Sequence, residues 1–301
     1  MDAAARATAG GPPDGPPGAP EGPPAEWGGK ARSGGRQREP RHWGRTVGVV
    51  LLAVAAGAAV QRTGWDPAGW FEPHAFIEVD GEAMAVPRPD ASAGRLAPAV
   101  AVTSHGAHAF LHTTAAGTPV GYDPCRPVRY VVRPDGAPPG GDQLVQEAVD
   151  VVSRASGLVF EYDGTTDEPP SVDRRLIQPE RYGDDWAPVL VAWADEAAVP
   201  ELTGEVAGMG GSAAVPGADG HGQWLAAGRV VLDSADVGAM LSRPDGADQA
   251  RAIIVHELAH VLGLDHVSDT EELMHPVSST RTDLGPGDRE GLALVGQGPC
   301  Q

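Results

Sequence analysis

His256-Glu-Leu-Ala-His260-Val-Leu-Gly263-Leu-Asp-His266, followed closely by Leu273-Met274-His275-Pro276, is the stretch from which the rest of the chain can be read. If residues 245 to 262 form one helix, His256 and His260 stand four positions apart, so both imidazoles leave the same face and can reach one metal ion. Gly263 can adopt a positive φ and end that helix, and the chain then turns back so that His266 offers a third nitrogen. Three protein ligands leave one tetrahedral position for water, which is the pattern of a catalytic zinc site and not of a closed structural one. Glu257 falls between the histidine face and the apolar stripe of Ile253, Ile254 and Val261. It is placed to take the proton of that water, whose pKa zinc brings to about 7, and to pass it to a leaving amine. A buried helix carrying satisfied core histidines would explain neither Gly263 nor His266.

These residues carry a resemblance. His256 to His266 with Met274 resembles the metzincin clan of zinc endopeptidases, and Gly263 to His266 with Leu273, Met274 and Pro276 is most similar to the matrixin branch. The resemblance implies an α+β fold: a mixed sheet, an active-site helix and a C-terminal helix. It implies that Met274 lies in a tight turn supporting the imidazoles without binding the metal. It also implies that Gly204 to Val215, with Gly211, Ser212 and Ala213, is the cleft strand along which an extended peptide substrate would pair. His275 stands where matrixins usually carry Tyr; it is read with Pro276 as lining the pocket. In the final helix, Gly287 replaces the first of a pair of acidic residues common in matrixins, so no salt bridge from a cut N-terminus to that position is expected.

The formal charge is −19, unevenly divided: residues 1 to 62 hold eight basic and five acidic side chains, a net of +3, which leaves −22 on the remainder. An acidic globular part argues against nucleic acid as a partner. The expected partner is a protein or peptide substrate, and the chain is read as a monomer. Residues 1–40 are Gly, Pro and Ala with scattered charge and cannot bury a core, so they are expected to be a disordered cytoplasmic tail. Residues 41–65 contain the uncharged run 46–60 between Arg45 and Arg62, with Trp43 and Trp65 as interfacial anchors. Most basic residues precede it, so it reads as a single-pass anchor that exports the C-terminal remainder of the chain, or as a signal peptide cleaved after Ala58. Residues 66–106 are expected to be a stalk or linker, and His105, His108 and His112 to be solvated loop histidines.

The catalytic domain is expected over 107–301. A β-branched run predicts a strand at Val128–Val132, followed by a Pro- and Gly-rich turn. Asp142 is expected to cap a helix to about Ser156, with Gly157 as its stop. Further strands are expected at Leu158–Tyr162, Val189–Trp193 and Arg229–Asp233, and a last helix opens at Pro286, where Asp288 can accept backbone N–H bonds. The acidic loops Asp163–Glu168 and Asp184-Asp185 lack the spacing of a calcium loop; Ca2+ is conceivable there but unsupported, and the side chains read as solvated turn carboxylates. Cys125 and Cys300 frame the domain and, in an exported chain, read as a disulfide. Closing that loop contributes roughly 4 to 5 kcal/mol in the chain-entropy model. The other reading of Cys125, a thiol blocking the zinc, needs a Pro-Arg-Cys-Gly context and a cleavable spacer that the chain lacks. Two other functions compete with the endopeptidase: a catalytically silent surface protein that keeps zinc for structure, and a zinc amidase acting on cell-wall peptides.

Overall fold

Side chains of a strand alternate between two faces, and the central strands of this protein are apolar on both. In the computed structural model, which describes residues 74–79, 81–89, 94–204, 206–277 and 281–301, all of Val189–Ala194 is buried. That strand, β6, lies at the middle of a five-stranded sheet of order β5-β4-β6-β8-β7, with β4 at Val128–Arg133, β5 at Phe160–Thr165, β7 at Gly208–Pro216 and β8 at Gln223–Asp233. Two small pairs lie apart from it: the hairpin β1 (Phe76–Val79) and β2 (Glu82–Ala85), and β3 (Ala109–Phe110) with β9 (Leu264–Asp265). In the main sheet β4 pairs in parallel with β5 and β6, and β6 with β8; only the edge strand β7 runs antiparallel. The result is the mixed α+β architecture expected.

Five α-helices and a short 3-10 helix at Pro200–Leu202 complete the described elements: α1 (Gly141–Ser156), the short α2 (Pro179–Tyr182), α3 (Ser234–Leu241), α4 (Gly246–Leu262) and α5 (Pro286–Val295). Val145, Val149 and Val152 of α1 and Ile254, Leu258 and Val261 of α4 pack with Val191, Trp193, Val230 and Leu232 of the sheet in one core. On the opposite face, Leu190 and Ala192 meet Val131, and Val231 meets Val199 and Leu202. The disulfide Cys125–Cys300, with Cα atoms 5.5 Å apart, ties the residues before β4 to the C-terminus.

Local chemistry moves two of the expected boundaries. Helix α1 is not capped by Asp142. Gly140, at φ 83°, occupies the N-cap, and Asp142 lies in the first turn, where its charge still complements the helix dipole. A Cβ on Gly141 would stand 2.9 Å from the Trp193 ring, so the helix begins where only glycine fits against the sheet. Strand β5 starts at Phe160 and not at Leu158, because Ser153 Oγ donates to the Leu158 carbonyl at 2.7 Å and the Leu158 N–H donates to Ser156 Oγ at 3.2 Å. Leu158 is thereby spent on the helix stop.

The stretch read as stalk or linker makes specific bonds where it is described. Arg95 Nη2 donates to the Gly296 carbonyl at 2.8 Å, Gln297 Nε2 donates to the Val100 carbonyl at 2.9 Å, and a Cβ on Gly157 would meet the Pro98 carbonyl at 2.9 Å. His105, whose side chain is 79% exposed, and His108 lie in a loop as expected, and the loop is tied down: their Nδ1 atoms stand 2.9 and 3.6 Å from the Glu290 carboxylate on α5. The apolar run 46–60 and the tail before it lie outside the described residues. Among those described, no helix is long and apolar enough to cross a membrane.

Glu168 also departs from expectation. It is 5% exposed, and its oxygens accept from Arg174 Nε and Nη2 at 2.7 and 2.8 Å and from Gln178 Nε2 and Tyr182 OH at 2.7 Å each. Arg174 Nη1 continues to the Gly228 carbonyl of β8 at 3.0 Å, so the pair fastens the 166–182 loop to the sheet. Burial by itself would raise the pKa of Glu168. The Arg174 hydrogen bonds and charge, with Gln178 and Tyr182, overcome it and hold the carboxyl below its ordinary value. A depressed carboxylate stabilises the fold in full above its unfolded pKa and loses that contribution as the pH falls through the folded value. Glu168→Gln is therefore expected to cost about 1–3 kcal/mol at pH 7 and to flatten the fall in stability below about pH 4.5. Urea titrations of both proteins from pH 3 to 7 would measure it; parallel curves would mean that the pair is energetically idle.

Candidate active site

Helix α4 presents His256 and His260 from one face, and both of its ends are set by close backbone contact. At its start, a Cβ on Gly246 would lie 1.8 Å from the Met240 carbonyl, so the last turn of α3 abuts the first residue of α4. At its end Gly263, at φ 109°, donates its N–H to the Ala259 and His260 carbonyls and turns the chain as the sequence implied. The returning strand β9 is pinned by β3, with Ala109 opposite Asp265 and Phe110 opposite Leu264, and the Leu111 N–H donates to the Gly263 carbonyl at 2.9 Å. His266 follows at once, beside His256 and His260.

The three imidazoles converge through one nitrogen each. His256 Nδ1 lies 2.8 Å from the Leu273 carbonyl and His260 Nδ1 lies 2.8 Å from the Leu264 carbonyl. A carbonyl only accepts, so both rings carry their proton on Nδ1 and turn the Nε2 lone pair inward. The three Nε2 atoms stand 3.1, 3.1 and 3.2 Å apart. Lone pairs that close, with no proton between them, repel one another unless a cation is shared. Burial lowers the pKa of all three rings, that of His256 to about 4, so they are neutral at physiological pH, the form that binds metal. The triad can hold a metal ion. Three imidazoles at this spacing suit zinc, whose bonds to nitrogen are about 2.0–2.1 Å long.

Glu257 stands next to this cluster, 7% exposed. Burial pushes its pKa up to about 8, against the pull of the Gly210 N–H. Strand β7 passes over it at very short range. A Cβ on Gly208 would lie 3.0 Å from Glu257 Cγ, and one on Gly210 would lie 2.1 Å from the Glu257 carbonyl oxygen. Glycine at these two positions, two apart on one face of the strand, lets the edge of the sheet rest on the helix at Glu257.

The histidines and Glu257 open into a cleft of about 660 Å³ bordered on one side by Val206 to Gly210 and on the other by Leu273 and His275 to Val277. His275 and Pro276 are among the residues that line it. Gly211, Ser212 and Ala213 are not. Ser212 turns inward, donating to the Val261 carbonyl at 2.8 Å and accepting from Tyr122 OH at 2.9 Å, and Tyr122 OH in turn accepts from the Gly228 N–H at 3.2 Å. The register shift between Gly211 and Ala213 marks the change, and the cleft is bordered by the residues before it.

Met274 is 1% exposed, and its turn is held by two buried carboxylates. Asp288 accepts from the Leu273 N–H at 2.6 Å, the Met274 N–H at 3.2 Å and the Gly285 N–H at 2.7 Å, as its place in the last helix suggested. Glu272, which sequence reasoning missed, reaches the other way and accepts from the Gly287 and Asp288 N–H groups at 2.9 and 3.0 Å. The two carboxylates thus exchange places between the turn and the N-terminus of α5. Through Leu273, whose carbonyl holds His256, they fix the orientation of a ligand ring. At Gly287 a Cβ would meet the Ala107 carbonyl at 2.1 Å, so an acidic side chain has no room there and Glu272 supplies the charge instead. A carboxylate two residues before Met274 was the available signal.

No curated protein matches the chain. Residues 205–294, which run from the start of the cleft wall through the histidines and Met274 into α5, match the family model described as Matrixin, so this part of the chain is similar to the matrixin-like metzincins.

Proposed function

We propose that the protein is a zinc-dependent endopeptidase that hydrolyses peptide bonds with a water molecule. The observation that carries this reading is the convergence of three neutral imidazole nitrogens beside a buried carboxylate, at the floor of a cleft bordered by a free sheet edge. Bound zinc supplies Lewis acidity toward the water and the scissile carbonyl. The rest falls to this chain's own groups. An extended substrate pairs with the free edge at β7, which fixes the direction and depth of the peptide. The carboxylate of Glu257 takes a proton from the attacking water and delivers it to the leaving nitrogen. Its buried setting, which favours the protonated form, suits the second transfer.

The disulfide supports export from the cytoplasm. We place the peptidase outside the cell membrane, held by 46–60 or released after Ala58.

The test is a zinc measurement and a mixed peptide library read by mass spectrometry on the full-length chain. One zinc per chain is expected, with cleavage abolished by a chelator and restored by added zinc. Zinc retention without cleavage of any peptide would favour the silent binding protein. Cleavage of wall peptides alone would favour the amidase.

A further inference from the structure

The cleft extends beyond the histidines along α4. Ala252 and Gln249 lie four and seven residues before His256, on the same face of the helix, and both line the cleft. At 1.5 Å per residue, this stripe descends about 10 Å from the His256 ring toward the start of the helix. Ala252, the small residue in the stripe, leaves the channel open, and Ile253 and Val277 flank it with apolar surface.

Two arginines line the same cleft, Arg243 and Arg281. Arg243 belongs to the turn between α3 and α4. Its backbone is fixed there: its N–H donates to the Met240 carbonyl at 2.9 Å, and its carbonyl accepts from the Gly246 N–H at 3.2 Å. Its side chain has no ion-pair partner among the described residues. Arg281 lines the cleft while its Nη2 donates to Glu271 at 3.0 Å. Among the described residues that line the cleft, the only carboxylate is Glu257, which is occupied beside the histidines. A protein with a formal charge of −19 thus keeps this peptide-sized cleft cationic.

We propose that this channel selects a substrate whose residue immediately after the scissile bond bears a carboxylate, glutamate above all, read by Arg243 with help from Arg281. The inference rests on the endopeptidase reading for its location. The apolar flanks accept the methylenes of the glutamate side chain, and guanidinium at the far end pairs with its carboxylate in two parallel hydrogen bonds. Arg243 is exposed to solvent, so the preference weakens as salt rises.

The experiment uses full-length, zinc-loaded protein and four peptides that differ only in that residue: Glu, Gln, Leu or Lys. The wild type is expected to favour Glu over Gln in kcat/KM by about tenfold at low salt, the ratio that one charge-assisted hydrogen bond sustains. Arg243→Ala should bring the ratio toward one, and Arg243→Glu should turn the preference toward Lys. Equal rates for Glu and Gln, a preference for Leu, or a ratio unmoved by both Arg243→Ala and Arg281→Ala would overturn the proposal. A parallel arm measures binding of the same peptides to zinc-loaded Glu257→Gln protein by fluorescence anisotropy. If no peptide is cut by the wild type, the endopeptidase reading fails, and the binding ratio of Glu to Gln then decides acidic recognition alone, a ratio near one overturning it.

Discussion

Glu257→Gln is expected to lower kcat/KM for peptide cleavage by about 10²–10⁴-fold, the range associated with losing a positioned general base and acid, while the protein keeps its full complement of zinc. The histidines make the two effects separable. Their rings are held by the Leu273 and Leu264 carbonyls, and neither bond involves Glu257. Gln fills the same volume and cannot accept the proton. Stability is expected to move in the opposite direction. Burial raises the Glu257 pKa to about 8 in the metal-free fold. A carboxyl whose folded pKa lies above its unfolded value costs stability progressively as the pH rises between the two. Metal-free Glu257→Gln should therefore melt higher than the metal-free wild type at pH 7, and the difference should shrink toward pH 4.5. Zinc per chain, cleavage rate and melting curves on the same samples check all three. Cleavage within threefold of wild type would remove Glu257 from the chemistry, and loss of zinc with activity would make it a structural part of the metal site.

Much of this site was legible because its chemistry is local. His256, Glu257 and His260 share one helical turn, and Gly263 signals where the chain must reverse, so the arrival of the third histidine beside them could be read from spacing alone. The central strands were legible for a related reason: a strand covered on both faces is a continuous apolar run, as in Val189–Ala194. What escaped was set by partners distant in sequence. Glu168 looked like an ordinary turn acid, and only the fold brings Arg174, Gln178 and Tyr182 around it. His105 and His108 lacked acidic neighbours in sequence, yet Glu290 lies against them in space. Glu272 is beside Met274, but its use depends on α5 arriving with Gly287 and Asp288 N–H groups free to donate. The bonds of 94–106 were hidden for the same reason: a Pro- and Ala-rich segment carries no periodicity, and its bonds to Gly296 and Gln297 span about two hundred residues.

The glycines of β7 provide the sharpest contrast, and a paired substitution should expose it. Gly210→Ala is expected to reduce kcat/KM by about 10²-fold, the penalty for displacing a substrate-positioning element by roughly 1 Å, and to destabilise the fold by about 1–3 kcal/mol through overpacking. Its new Cβ would meet the Glu257 backbone carbonyl at 2.1 Å, and neither a helix backbone nor a strand bonded along β8 can yield as a side chain would. The strand must lift, taking with it the Gly210 N–H that faces the Glu257 carboxylate and the wall against which a peptide would lie. Gly211→Ala, one residue away, has nothing within 4 Å of the added carbon and no positive φ to lose. It should leave cleavage within about threefold of wild type and hold or slightly raise stability, as replacing an unstrained glycine does by restricting the unfolded chain. Sequence alone treats these neighbours as equivalent; the alternation of a strand makes one face the helix and the other face away. Kinetics and urea titrations of the two variants decide the matter. If Gly211→Ala proves the damaging change and Gly210→Ala is tolerated, the substrate must run along 211–213 after all, and the contact between β7 and α4 is not what sets the depth of the cleft.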